Sequence, residues 1–429
     1  MVSHLNKSLC ISVVLTLLCT DNLSAQFQNA GGDAQRSGFV QVDGPLKEPE
    51  ILWEHNLGVI GISDTQPVID VDGNIYVTGC PVNQKTWEED FDPIGTLVSL
   101  SPEGEVNWRY DWTWNKNQQN TWSQLTGPIL VGKDLVAMGS RFGWLRCWNR
   151  HTGDMLWERR LTAGTDPITS TPIADSEGNI YVHVRDIPTL RKIDSRTGQY
   201  IWVHKFIDDS IGNTSSPTLS HDQKTVYIGR TARDIGYLYA IDTVEGNCRW
   251  AWSPEVSKGH SFAWNIPIVD QQGTVYIQDE EFANLYAVHD LGKVHAFKWS
   301  YKKEGRGVPR VGAVDNEAIY SCFNQPQPFL FAVDLNGQEK WSRSFSEGRG
   351  IAGLVVGNKA VYFGMSGTGQ VIAVNKQTGE VLWAKQVGTA NSSFSEGLSL
   401  GADGTLYVPV NGTPSHPKMA FIIALKSNE

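Results

Sequence analysis

The sequence predicts an all-β protein, an eight-bladed β-propeller with four antiparallel strands per blade and a ring closed by its N-terminal strand. Three observations carry that expectation. A tryptophan recurs about every 47 residues, a tyrosine-bearing strand runs in phase with it, and the two chain ends each hold part of one unit.

The tryptophan series is Trp53, Trp108, Trp157, Trp202, Trp250, Trp299, Trp341 and Trp383. In six units a glycine stands four residues earlier, at Gly104, Gly153, Gly198, Gly246, Gly337 and Gly379. The fifth unit departs, with Gly292 seven residues before Trp299. The tyrosine series is Tyr76, Tyr181, Tyr227, Tyr276, Tyr320, Tyr362 and Tyr407, with Val136 in the slot of the second unit. Runs such as Asp72-Gly73-Asn74-Ile75-Tyr76-Val77 and Asp403-Gly404-Thr405-Leu406-Tyr407-Val408 are hairpin chemistry: glycine supplies the turn, and β-branched and aromatic residues supply the strand. A proline opens the strand before most of these tyrosines: Pro67, Pro128, Pro172, Pro217, Pro267 and Pro309. Each unit therefore reads as strand, glycine turn, Tyr strand, variable loop, strand, glycine turn, Trp strand. One four-stranded sheet cannot bury both of its faces, whereas eight arranged radially can. No stretch shows sustained helical periodicity.

The ends define the boundaries. Residues 1–25 read as a signal peptide, with Lys7, an apolar stretch from Leu9 to Leu18, and Leu23-Ser24-Ala25 before a cleavage point. A lipoprotein reading would acylate Cys19, but Leu18 occupies the position that wants a small residue. Residues 26–50 form a leader, residues 51–425 the propeller and residues 426–429 a short tail. Ile51-Leu52-Trp53 is a last strand without its unit, and Ala420 to Leu425 is a third strand without its tryptophan. Together they make one blade. The mature chain is expected to be exported, periplasmic or extracellular, with no transmembrane segment of its own and membrane association only through a partner.

The stretch from Ala373 to Trp383, with Asn375 and Gly379, resembles the docking motif of pyrroloquinoline-quinone-like repeat propellers, as do the stretches ending in Trp202, Trp250 and Trp341. The leader sequence Gly31-Gly32-Asp33-Ala34-Gln35-Arg36-Ser37-Gly38 is similar to one common in such proteins. WD40 repeats share the period, but no Trp-Asp dipeptide occurs. The resemblance implies one of two functions. Quinoprotein alcohol or sugar dehydrogenases hold pyrroloquinoline quinone (PQQ) and calcium on the axis, commonly beside a pair of adjacent cysteines, which this chain lacks. Other members are non-catalytic binding platforms, among them the propeller of the outer-membrane β-barrel assembly machinery. The second kind is expected here: an exported non-enzymatic scaffold, without cofactor, that binds a protein or a polysaccharide.

Composition removes several alternatives. A net charge of −10 disfavours nucleic acid, whose phosphates call for clustered Lys and Arg. There is no HExxH, nucleophile elbow or P-loop, and the GxGxxG match at Gly348 to Gly353 precedes a strand where a dinucleotide site needs a helix. Cys80, Cys147, Cys248 and Cys322 show no metal spacing and fall in different units, so buried free thiols are expected.

In each unit the long loops, after the second and fourth strands, emerge on one face and the short glycine turns on the other. Binding residues concentrate in long loops. Trp87, Trp112, Trp114 and Trp122 crowd the long loops of the first two units, next to acidic residues that include Asp90. They are either a recognition platform or a satellite core. On the opposite arc, Arg306 and Arg349 recur at a spacing of 43 within Glu-Gly-Arg-Gly. They either bridge an anionic ligand or pair with their own glutamates. The loop around Asp90 is the better candidate for a metal, and no metal is expected.

Overall fold

The computed structural model describes residues 27–60, 65–79, 94–113, 126–140, 143–162, 170–185, 187–206, 215–254, 259–262, 265–306, 312–394 and 397–427. Its described residues form eight small antiparallel sheets and no helix. Blade one comprises the strands Val68–Ile69, Ile75–Gly79, Ile94–Leu100 and Val106–Thr113, in that order from the axis outward. Blades two to seven repeat this order. Their outer strands are Met155–Arg160, Tyr200–Lys205, Cys248–Trp252, His295–Tyr301, Glu339–Ser344 and Val381–Gln386. Blade eight is composite, as expected from the chain ends. The N-terminal strand Glu50–Ile60 is its outer strand and pairs antiparallel with Met419–Lys426, which pairs with Leu406–Asn411.

The docking tryptophans join the blades. Each indole from Trp53 to Trp341 donates a hydrogen bond through Nε1 to the next blade. Trp53 reaches the Pro102 carbonyl at 2.9 Å, Trp108 that of Arg150 at 2.7 Å, Trp157 that of Ser195 at 2.6 Å and Trp341 that of Lys376 at 2.8 Å. For Trp53, Trp108, Trp157, Trp202, Trp299 and Trp341 the glycine of the next blade's outer turn is the seat of the incoming ring. A Cβ at Gly153 would stand 2.7 Å from the Trp108 ring, and the residue's φ of +76° is one that side chains resist. That explains the recurring four-residue offset: it links the seat for one tryptophan to the next tryptophan along the chain. Every blade but the second, where Val136 fills the slot, also pairs its own tyrosine with its own tryptophan, with ring centroids 5.7–6.3 Å apart, as between Tyr276 and Trp299 or Tyr320 and Trp341.

The leader does more than precede the ring. Phe27 exchanges backbone hydrogen bonds with Ile69, and the carbonyls of Gln28, Ala34, Gln35, Ser37 and Gly38 accept from Leu130, Leu219, Val269, Val314 and Val356. Six inner strands thus present the same N–H to one segment. At blades three and four the contact is made by Arg36, fully buried, whose guanidinium donates to the carbonyls of Ala30, Thr171, Pro172 and Pro217. Pro45 supplies the carbonyl for Trp383 at 2.8 Å, because blade eight has no continuous outer turn to offer one. The leader therefore lies across the inner strands at their glycine-turn ends, opposite the loop-rich face. No helix among the described residues is long and apolar enough to cross a membrane.

Candidate functional site

Trp87, Trp114, Trp122 and the acidic loop at Asp90 lie outside the described residues. The backbone of Trp112 pairs with Gly95 in the outer strand of blade one. Arg306 and Arg349 occupy equivalent places on the loop-rich face. The Arg306 backbone bridges to Gln325, and the Arg349 N–H donates to the Ser366 carbonyl, each at the end of the second strand of its own blade. Both side chains are exposed. The Arg306 guanidinium pairs with Glu281 of the preceding blade, a partner that neither reading of the motif named. Cys147, Cys248 and Cys322 are free thiols in blades two, four and six; Cys248 is exposed, and Cys80 lies outside the described residues.

Arg306 stands at one end of a groove that sequence reasoning did not assemble. One part is a pocket of about 300 Å³ between blades four and five, lined by Trp252, Pro254, His260, Asn284, Tyr286, Phe297, Ser300 and Lys302. It adjoins an open depression of about 750 Å³ toward blade six that includes Glu281, Phe282, Lys303 and Arg306 and shares Asn284 and Lys302 with the pocket. Strand alternation explains the aromatic wall. Trp252 is two residues after the docking Trp250, on the same face of the strand, and so extends the docking surface toward the loop-rich end. Trp252 stacks on Phe297, with centroids 5.9 Å apart and planes at 5°, and on Phe262 at 6.1 Å and 15°. Tyr286 leans on it at 5.3 Å. An aromatic two residues beyond a docking tryptophan was the available signal, shared by Tyr110 and Tyr301.

The polar groups of the pocket are fixed from behind. His260 Nδ1 is bonded to the fully buried carboxylate of Asp279, so the Nδ1 proton points inward and Nε2 is the free ring nitrogen. Asp279 is held in turn by the Glu281 N–H at 2.8 Å. Burial pushes the Tyr286 phenol up to about 12, which keeps it a neutral hydrogen-bonding hydroxyl. Lys302 makes no ion pair among the described residues, whereas Lys303 is tied to Glu339 at 2.9 Å.

A quinone with calcium needs a cluster of oxygen donors and cations facing the reactants. Among the described residues no three His, Cys, Asp or Glu side chains converge, and Arg36 is committed to backbone carbonyls.

Similarity to known structures follows the fold. The quinohemoprotein alcohol dehydrogenase of Comamonas testosteroni superposes with a TM-score of 0.70 at 15% identity, covering 95% of this chain and 82% of that one. A europium-containing methanol dehydrogenase gives 0.68 at 12% identity, covering 94% of this chain and 98% of that one. BamB from Moraxella catarrhalis gives 0.59 at 16% identity, covering 88% of this chain and 99% of that one. At these identities the likeness shows the propeller alone, with enzymes and an assembly factor both among its bearers. No curated protein matches the chain in sequence. The family model described as outer membrane protein assembly factor BamB matches residues 94–322 and 327–412, and with most of the ring covered the chain belongs to that family of PQQ-like repeat propellers.

Proposed function

We infer that this protein is an exported, non-catalytic propeller whose loop-rich face recognises another protein. The observation behind this reading is the asymmetry of the two faces. The leader and the glycine turns close over the inner strands at one end, while the groove from Trp252 to Arg306 opens at the other. The groove offers what interfaces use, aromatic anchors beside paired and unpaired charges. The family description and the BamB likeness favour a protein partner. A polysaccharide is the second reading, favoured by the aromatic and hydroxyl lining of the smaller pocket.

Photo-crosslinking residues placed at Arg306 and at Glu103, which is exposed in a glycine turn, test the main reading in the cells of origin. Adducts with another protein are expected from position 306 and not from 103. Adducts from 103 alone would reverse the faces. A bound chromophore with dye-linked alcohol oxidation after addition of PQQ and calcium would replace the binding reading with the enzymatic one.

A further inference from the structure

The smaller pocket combines three features that together select a ligand chemistry. The first is an open ring face. Trp252 is sandwiched between Phe262 and Phe297, but Phe297 itself is 52% exposed and presents its other side to solvent. An exposed aromatic face offers a flat apolar surface to a partner of matching shape. The second is a set of small hydrogen-bonding groups of both kinds. The Ser300 hydroxyl, the Asn284 amide and the Tyr286 phenol can donate and accept, and His260 Nε2 accepts in the neutral ring. Vicinal hydroxyls, which also donate and accept, are the natural complement to such a set. The third is charge. In a chain of net charge −10, the pocket's cation is Lys302, and no carboxylate lines it among the described residues. Asp279 sits behind the imidazole and is spent on it.

A volume of about 300 Å³ lies at the small end of ligand pockets, suited to one ring rather than a long chain. A hydroxyl-bearing ring with an apolar face and one carboxylate meets all three features. We propose that the pocket between blades four and five binds a uronic acid unit of an acidic polysaccharide, with its ring on Phe297 and its carboxylate on Lys302. A charge-assisted bond from the ammonium sets the preference for acid over neutral sugar. This site stands independently of protein recognition by the face as a whole.

The test is isothermal titration calorimetry on the full chain with trigalacturonate, its methyl ester and phenylacetate, repeated on Lys302→Ala and Phe297→Ala. Lys302 is exposed and its substitution should leave the melting temperature unchanged, while Phe297→Ala gives up one stacking contact with Trp252 and should lower it only slightly. Saturable binding of the acid, about tenfold or more tighter than the ester, is expected, and each substitution should weaken it by about tenfold or more. Equal binding of acid and ester, undiminished binding by both variants, tighter binding of phenylacetate, or no saturable binding of trigalacturonate would each overturn the proposal. The crosslinking at position 306 reads protein partners separately, so either result can fail without the other.

Discussion

The joint between blades three and four and the joint between blades four and five do the same task with different atoms. In the first, Trp202 donates to the Thr243 carbonyl at 3.0 Å, its ring is seated on Gly246, and Tyr181 donates to Asp175 of its own blade at 2.8 Å. In the second, Ser220 stands where that aspartate would be and no glycine seats the ring. One side chain of blade five supplies the acceptors for both the indole and the tyrosine. Asp290 accepts the Trp250 Nε1 at 2.9 Å on one carboxylate oxygen and the Tyr227 hydroxyl at 2.5 Å on the other. The difference continues toward the loop-rich face. Between blades three and four the gap is filled by Phe206, with His183 and Tyr239 around it and the Arg230 guanidinium over its ring at 5.0 Å. Between blades four and five the corresponding region holds the open pocket. A joint that departs from the repeat in its lower half thus departs in its upper half too, as is common where sequence rules yield to a site.

The comparison can be broken first at the tryptophans. Trp202→Ala and Trp250→Ala should each cost about 3–5 kcal/mol, the usual range for truncating a packed indole. Chemical denaturation reads both. An unchanged midpoint for either variant would mean that its ring does not hold the joint.

The carboxylate comes next. Asp290→Ala leaves the buried Tyr227 hydroxyl and the Trp250 N–H without their acceptor, and two such losses at roughly 1–3 kcal/mol each give a cost of several kcal/mol at most. In the regular joint the indole acceptor is a backbone carbonyl, so Asp175→Ala should release only the tyrosine, Lys192 and turn contacts and leave Trp202 docked. The near-ultraviolet signal of the indole separates the two cases. Loss of it in Asp175→Ala would show that the two joints do not differ in this way.

The contrast also shows what the chain discloses by itself. The docking tryptophans, their glycines, the tyrosines and the composite last blade are periodic, and periodicity is visible without coordinates. The displaced Gly292 announced an irregular fifth unit, but not that Asp290 would serve Tyr227, because the residues are 63 apart and belong to different repeats. The groove was hidden for the same reason. Trp252, His260, Tyr286 and Phe297 come from separate elements of two blades, and each alone reads as core. The leader motif was noticed as a likeness, yet the role of Arg36 as a donor to four carbonyls depends on where the ring puts those carbonyls. Of the residues singled out in advance, Arg306 borders the groove, and Trp87, Trp114 and Trp122 fall outside the described residues.

The filled joint should also be the acid-sensitive one. His183 is fully buried, and burial, reinforced by Arg230, Arg191 and Arg185, lowers its pKa from 6.5 to about 3. The native state therefore needs the neutral ring, while the unfolded chain takes up a proton below pH 6.5. Between those two values the unfolded state binds more protons, so stability falls as pH falls. The loss should reach about 2 kcal/mol by pH 5 and stop growing below about pH 3, with no contribution above pH 6.5. A pH series of denaturation midpoints on the protein and on His183→Gln isolates this share. Parallel pH profiles would show that the imidazole is solvated and the joint open.

The smallest contrast is at the two turns. Gly246 has φ +76° and Gly292 φ +87°, so alanine at either carries the cost of a left-handed backbone, about 1 kcal/mol. At Gly292 nothing lies within 4 Å of the added methyl, and the backbone term is the whole cost. At Gly246 the methyl would stand 2.7 Å from the Trp202 ring, which must move and loosen its bond to Thr243. Gly246→Ala should therefore be the more damaging by about 1–3 kcal/mol, the range typical of overpacking. The difference between the two variants, both read by thermal melting, cancels the backbone term and leaves the seat. Equal losses would mean that the glycine beneath an indole serves its turn alone, and that the recurring offset reflects turn geometry rather than docking.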